Sequence, residues 1–147
     1  LVFFLLSVTL VIGFFFNEDS SGSGGFRADF YNGWAYVEVL KESFFVLPSK
    51  WVLHTPLHPI IISKVHILIE SKYVIRFIFC IISILIPFLF YLCLKINFPD
   101  KNKDILLTLA SLTFLFPSFR SGAIWANDHI TASFFFFIVS YFFLKMD

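Results

Sequence analysis

The sequence predicts an all-α polytopic membrane protein with about four transmembrane helices, plus amphipathic helices that lie at the membrane surface. Of its 147 residues, 59% are hydrophobic and 14% are charged, whereas soluble domains carry about 25% charged residues. The mean hydropathy is +0.86. A net charge of +1 does not provide the basic surface that a nucleic-acid partner requires. The composition therefore excludes an ordinary soluble domain, a disordered tail and a nucleic-acid-binding protein.

Four apolar runs are the candidate membrane spans. A helix that crosses the roughly 30 Å hydrocarbon core needs about 20 apolar residues. The run at 73–94 is the strongest candidate, and its one charge, Arg76, lies near its start. The other three predicted spans are shorter and cover residues 1–16, 105–118 and 130–145. The first of them has a signal peptide as its alternative, although it lacks a basic n-region and a small-residue cleavage site.

Residues 17–72 are predicted to form a long outer loop that contains interfacial helices. A Gly/Ser-rich turn is followed by an almost entirely apolar stripe at helical spacing, which predicts a helix lying on the surface: Phe30, Trp34, Val37, Lys41 and Phe44. The segment 57–69 is also apolar but carries Lys64 at its centre. Because a central lysine costs about 2.5–3.5 kcal/mol on insertion, we expect this segment to lie flat. A very short transmembrane helix is the alternative.

Basic residues in the short loops predict the orientation. Lys95, Lys101 and Lys103 follow the second predicted span, and Lys145 lies at the end of the fourth. If these lysines face the cytoplasm, the positive-inside rule is satisfied. The loops at 17–72 and 119–129 then both face outward. Both ends of the chain fall in or near apolar runs, so we expect residues 1–147 to be the front part of a larger membrane protein.

Ionisable residues in the two outer segments are the candidate functional residues. Asp29, in the first segment, is either a helix cap or an acid with a chemical role. For Asp104, which directly precedes the predicted span at 105–118, helix capping is the favoured interpretation. Arg120, Asp128 and His129 lie between two predicted spans. Ionisable groups at membrane depth are costly and are therefore functional candidates. The alternative is snorkelling of Arg120 and helix capping by Asp128.

Two histidines stand four residues apart in the first outer segment. His54 and His58 would suit a metal on one helix face, but Pro56 and Pro59 argue against a continuous helix through both. The sequence offers no third ligand beside them. Contacts with the membrane interface or with a phosphate are the favoured interpretation.

The order of these segments resembles the front module of GT-C superfamily membrane glycosyltransferases. That superfamily includes oligosaccharyltransferase catalytic subunits, protein O-mannosyltransferases and aminoarabinose transferases. The stretch ADFYNGWAYVEVL, with Asp29, is similar to their first-loop acidic segment, although a second adjacent acid is missing. HTPLHPIII is similar to a proline-containing segment that follows it. FPSFRSGAIWANDHITASFFFF, with Arg120 and Asp128, is similar to the second-loop segment. Glu18 and Asp19 are second choices for the first-loop acid.

The resemblance implies that the full-length protein is an inverting glycosyltransferase. It would move a sugar from a polyprenyl-phosphate donor to a glycan or protein acceptor. The site would face the periplasm at a bacterial inner membrane, or the lumen at the endoplasmic reticulum. Asp29 would be the general base, and Asp128 a second catalytic residue that binds a metal or positions the acceptor. The donor phosphate would be held by three residues: Arg120, Arg76 and His129.

Several points of this interpretation stay open at the level of sequence. Tyr31, His54 and His58 are further candidate contacts for donor or acceptor. A Mg²⁺ or Mn²⁺ cofactor is left open because metal use varies across the superfamily. Besides the lipid-linked donor, membrane lipids are expected partners, and nucleic acid is not. The alternatives are a multi-spanning transporter or flippase, a polysaccharide polymerase component, and a fragment that is inactive alone.

Overall fold

The computed structural model describes residues 1–20, 25–42 and 57–146, and it confirms the all-α fold class for these ranges. The helices follow one another along the chain as α1 (Val2–Phe15), α2 (Gly25–Glu42), α3 (Leu57–Leu68), α4 (Lys72–Ser83), α5 (Leu85–Asn97), α6 (Lys103–Ser111), a 3₁₀ turn (Leu112–Leu115), α7 (Pro117–Ile124) and α8 (Asp128–Met146). No strand occurs among the described residues.

Two helical stretches in the described part of the chain are long and apolar enough to cross a membrane. They are Lys72–Asn97, which comprises α4 and α5, and Asp128–Met146, which is α8. A third candidate is bent by 70° between Lys103–Leu115 and Pro117–Ile124. The helices α1 and α3 are apolar but shorter. At 14 residues, α1 is only about 21 Å long. The count of about four spans therefore stays a prediction.

Prolines explain both interruptions of these long helices. Pro87 lacks the N–H that would donate to the carbonyl of Ser83, and α4 therefore ends at Ser83. Ile84 still has helical dihedral angles, so the chain continues into α5 in nearly the same direction. Phe116, which precedes Pro117, is held in an extended conformation with ψ of 119°. Pro117 then begins α7 at the first helical position, where proline is favoured. The predicted span at 105–118 is therefore not one straight helix.

The helix α1 ends in a tight turn that sets the geometry of the next residues. Asn17 has a left-handed φ of 51°, which asparagine tolerates better than most residues. Its N–H donates to the carbonyl of Phe14 at 3.0 Å, and the N–H of Glu18 donates to that of Gly13 at 3.0 Å. This is the Schellman pattern of helix termination. The turn presents the side chains of Asn17 and Glu18 to the helices packed against α1.

The helix predicted from the apolar stripe is present as α2, which packs against α3, and its position at a membrane surface stays a prediction. Phe30, Trp34 and Val37 are buried as the stripe predicts, and Phe44 lies outside the described residues. Helix α3 covers Leu57–Leu68, close to the predicted 57–69.

The capping interpretation fails for both Asp29 and Asp104, because their helices begin earlier than expected. Helix α2 begins at Gly25, so Asp29 is its fifth residue and cannot cap it. Helix α6 is capped by Asn102, whose side chain accepts from the N–H of Asp104 at 2.8 Å. Asp104 instead lies in the first turn, where its charge suits the helix dipole.

The core of the described residues lies where α1, α2, α4 and α7 meet. It is built mainly from aromatic and branched side chains: Leu10, Phe14, Phe30, Trp34, Ile75, Phe79, Ile124 and Trp125. Helix α8 packs mainly along α5, and it leaves an exposed face of large apolar side chains: Phe135, Phe136, Val139, Phe142 and Phe143. Such a face suits contact with lipid or with further helices.

Candidate functional site

Residues 17–20, which we call the junction segment, connect the end of α1 to the helices around it. Ser20 donates its N–H to Ser121 Oγ at 2.7 Å, and Ser121 Oγ donates to Ser20 Oγ at 2.9 Å. Asp19 Oδ2 accepts the backbone N–H of Arg27 at 2.9 Å. The junction segment therefore holds the start of α2 and the middle of α7. Both long apolar helical stretches begin at this end of the molecule.

All five N–H groups of the Arg120 guanidinium have acceptors, most of them in or just after α1. Its Nε and Nη2 donate to the two carboxylate oxygens of Glu18 at 2.7 and 2.6 Å. Thr9 accepts twice more, through its hydroxyl and its carbonyl, and the carbonyl of Phe114 accepts once at 3.3 Å. These five contacts match the five N–H groups of a guanidinium. The hydrogen bonds from Arg120 lower the pKa of the Glu18 carboxyl below its ordinary value of 4.5.

Arg76 is buried, with 4% of its surface exposed, among aromatic rings. Its Nε donates to the carbonyl of Ile124 at 3.0 Å, and Nη1 and Nη2 both donate to Asn17 Oδ1 at 3.1 Å. Its guanidinium carbon lies 3.5 Å from the ring centroid of Trp125 and 5.2 Å from that of Phe14. Cation–π contacts of this kind are stabilising where water is excluded.

Trp125 joins the buried arginine to the surface. Its Nε1 donates to the carbonyl of Glu18 at 3.1 Å. The guanidinium carbon of Arg27 lies 5.7 Å from its ring centroid and 6.0 Å from that of Tyr31. Tyr31, whose ring centroid is 6.1 Å from that of Trp125, is 49% exposed. The predicted contact residue Tyr31 therefore lies beside Trp125 and Arg27.

Asp128 and His129 begin α8 next to α7. Asp128 Oδ1 lies 3.8 Å from His129 Nδ1, a long distance for an ion pair. The His129 ring contacts the edge of Phe26, and its Nε2 lies so close to Gly122 that a β-carbon there would collide with it. Gly122 thus provides the space for the imidazole. These two predicted residues, adjacent in the sequence, thus lie at the start of α8, with His129 against Phe26 of α2 and Gly122 of α7.

Asp29 stands apart from these groups. It is exposed on α2 and makes no hydrogen bond or ion pair with the rest of the described chain. Its α2 neighbour Gly33 faces open space, with no atom within 4 Å of a β-carbon position. The structure thus leaves the Asp29 side chain exposed but does not join it to Arg120 or Asp128.

The two predicted histidines have different outcomes. His54 lies outside the described residues. His58 is buried in α3, and its Nδ1 shares a 2.7 Å hydrogen bond with Thr131 Oγ1 of α8. Its ring also contacts the edge of Phe79. His58 therefore ties α3 to α8 and α4.

A second polar cluster, which the sequence did not suggest, joins α2 to α3. Glu38 Oε1 accepts from Trp34 Nε1 at 2.7 Å and lies 3.2 Å from His66 Nε2. The Trp34 hydrogen bond, with a smaller contribution from His66, lowers the pKa of the Glu38 carboxyl from its ordinary value of 4.5. The ammonium of Lys72 lies 4.6 Å from the centroid of the Trp34 ring. This cluster anchors the α2–α3 pair to the start of α4.

Several residues at the junction escaped prediction because their partners are remote in sequence. Asn17 and Arg27 belong to no recognisable motif, and Glu18 is only a second choice for the first-loop acid.

In residues 1–20, 25–42 and 57–146, no three His, Cys, Asp or Glu side chains come together as a metal site.

The described part of the chain belongs to the class of all-helical proteins, with two or three helices that are long and apolar enough to span a membrane. Comparison of the chain with protein-family models, with curated proteins and with solved structures finds no match.

Proposed function

We propose that this chain is part of an integral-membrane glycosyltransferase that uses a polyprenyl-phosphate sugar. The observation that carries the proposal is the convergence of charged and aromatic groups where both long apolar helices begin. Arg76, Arg120 and His129 all belong to this end, while Lys95 and Lys145 lie toward the opposite helix ends. A lipid-linked phosphate reaches such a place laterally from the bilayer.

The donor phosphate is proposed to bind near Trp125, at the Arg76 side of the junction. Arg76 and His129 are the candidate ligands, since charge-assisted hydrogen bonds to phosphate are strong. Arg120 can join them only by exchanging Glu18 for the phosphate, because its five N–H groups already have acceptors. The phosphate is a stable leaving group, so departure of the sugar needs no general acid.

The acceptor hydroxyl or amide is proposed to be activated by a carboxylate on the outer side. Asp29 is accessible on α2, which suits a base that meets an incoming acceptor. Asp128, at the start of α8, would position the acceptor or a metal ion. Attack on the anomeric carbon opposite to the phosphate would invert its configuration.

Transfer of labelled sugar in membranes tests these roles. The full-length protein is supplied with polyprenyl-phosphate sugars, and Asp29→Asn is compared with Asp128→Asn and with a matched surface control, Glu42→Gln. We expect Asp29→Asn to abolish transfer while the protein remains folded, and the control to retain it. Full transfer in Asp29→Asn would overturn the assignment of the base. Absence of transfer by the wild type with every donor would overturn the proposed function.

The sidedness is tested separately by cysteine labelling. The native Cys80 and Cys93 are both buried, so they give little background. Single cysteines at Ser23 and at Asn102 should react with an impermeant reagent from opposite sides. Reaction of both from the same side would contradict the proposed orientation.

A further inference from the structure

Arg76 is a buried cation that has no carboxylate partner in the described part of the chain. The ion pairs there involve Glu18, Glu38 and Asp128, and Arg76 belongs to none of them. Its acceptors are neutral oxygens, and only three of its five N–H groups have a described contact. A buried charge is costly unless an opposite charge compensates it.

Arg27 is a second cation on the same aromatic platform. Its guanidinium is exposed and contacts the rings of Tyr31 and Trp125, and no hydrogen bond from it is found within the described ranges. The carboxylate of Asp19 accepts the backbone N–H of Arg27 and not its side chain. Because both guanidinium carbons lie against the Trp125 ring, they are at most about 9 Å apart. Two cations at that spacing suit one bridging anion.

We propose that Arg27 and Arg76, whose guanidinium groups both lie against the Trp125 ring, form a phosphate-binding site. Arg76 is the rigid, buried half of the site, and Arg27 is the exposed half that meets the anion first. Asn17 Oδ1 now accepts from both Nη atoms of Arg76, at the place where a phosphate oxygen would accept from them. That the anion is the phosphate of a lipid-linked donor rests on the proposed function.

Arg27 rather than Arg120 therefore completes the site. Arg120 already has a carboxylate partner and five acceptors, so it adds little attraction for an anion. The rings of Phe14, Phe30 and Tyr31 surround the two cations and offer apolar surface next to the charge. Such surroundings favour an alkyl phosphate over free inorganic phosphate.

Binding is measured without any sugar transfer, by ³¹P NMR titration of the detergent-solubilised protein. The two probes are inorganic phosphate and dodecyl phosphate, which separate a free anion from a lipid headgroup. We expect saturable binding of dodecyl phosphate, weakened roughly 10- to 100-fold by Arg27→Gln and largely restored by Arg27→Lys. The matched control Lys101→Gln removes an exposed charge between α5 and α6, and it should bind like the wild type.

Asn17→Asp gives the sharpest test because it supplies the missing negative charge within the chain. Aspartate tolerates the left-handed conformation of residue 17. The variant should unfold at a higher temperature than the wild type and yet bind dodecyl phosphate at least tenfold more weakly. A variant that was merely misfolded would lose both properties. Unchanged phosphate binding in Asn17→Asp would overturn the site.

The outcomes separate this site from the proposed function. Arg27-dependent binding of dodecyl phosphate without any sugar transfer would retain the site and reject the transferase. Transfer that continues while Arg27→Gln binds phosphate normally would reject the site and retain the transferase. A preference for inorganic phosphate would identify a free anion, and it would overturn the lipid-linked assignment. Absence of saturable binding of either probe would overturn the site outright.

Discussion

Glu18 and Arg120, which are 102 positions apart in the chain, form a two-point ion pair with distances of 2.7 and 2.6 Å. The pair fastens the end of α1 to α7. It lies directly on the backbone of α1 at Gly13, where a β-carbon would collide with the Glu18 carboxylate. Much of the architecture of this end of the molecule therefore depends on one carboxylate.

Removing the Glu18 charge should destabilise the protein. In Glu18→Gln, Arg120 keeps an oxygen acceptor but loses its only carboxylate partner in the described ranges. We expect the free energy of unfolding to fall by about 1–3 kcal/mol, as for other charge-assisted hydrogen bonds. Unfolding in detergent can be followed with a thiol-reactive dye, since both cysteines are buried in the folded state.

A double-mutant cycle with Arg120→Gln isolates the pair. Arg120→Gln should lose more stability than Glu18→Gln, since it also gives up the hydrogen bonds to Thr9 and Phe114. The double variant should lose less than the sum of the two single losses, because the second change removes a partner that is already absent. Additive losses would show that the two residues act independently, in conflict with the observed pair.

Gly13→Ala should destabilise the protein, whereas Gly33→Ala should not. At Gly13 the added methyl group meets the Glu18 carboxylate, and it also comes within 2.9 Å of Arg120 Nη2. At Gly33 no atom lies within 4 Å, and alanine favours a helix interior by up to about 1 kcal/mol. The two melting temperatures should therefore shift in opposite directions. Equal shifts would contradict the close approach at Gly13.

Acid should weaken the attachment of α1. The folded-state pKa of Glu18 is lowered from 4.5, so its contribution to stability is complete above about pH 4.5 and is lost as pH falls through the folded-state pKa. Tryptophan emission can report unfolding from pH 6 to pH 3. The stability difference between the wild type and Glu18→Gln should shrink across the acid part of this range. A constant difference down to pH 3 would contradict the prediction.

The α2–α3 pair should loosen when Trp34 loses its N–H. Trp34→Phe keeps an aromatic ring but removes the 2.7 Å hydrogen bond to Glu38. We expect a loss of about 1 kcal/mol that is local to these helices. Hydrogen exchange should accelerate in 25–42 and 57–68, while exchange in α8 stays unchanged. Uniform acceleration along the whole chain would contradict a local role.

The helical class and most helices could be predicted from the sequence because apolar runs and their period are local properties. The stripe of Phe30, Trp34 and Val37 marks α2 correctly. The bend at Phe116 follows from Pro117, but the span prediction counted apolar residues and disregarded the proline. The cap at Asn102 was assigned to Asp104 because both are good capping residues, and a boundary is fixed by geometry that composition does not contain.

The junction could be predicted only in part. The sequence singles out Arg120 and Arg76 as unusual charges near predicted spans, and both lie at the junction. Their partners Glu18 and Asn17 come from a turn about 60 to 100 residues earlier, and single-sequence patterns carry no information on such pairing. Asp29 was favoured by a resemblance that depends on order and not on contact, so its catalytic role stays a prediction.

The junction segment also constrains how the chain can vary. Loops usually accept inserted or deleted residues, because few contacts depend on their length. Here four consecutive residues contact three different helices, α4, α7 and α2, so one extra residue after Phe16 would shift every one of these contacts at once. We therefore infer that this connection tolerates changes of residue type far better than changes of length.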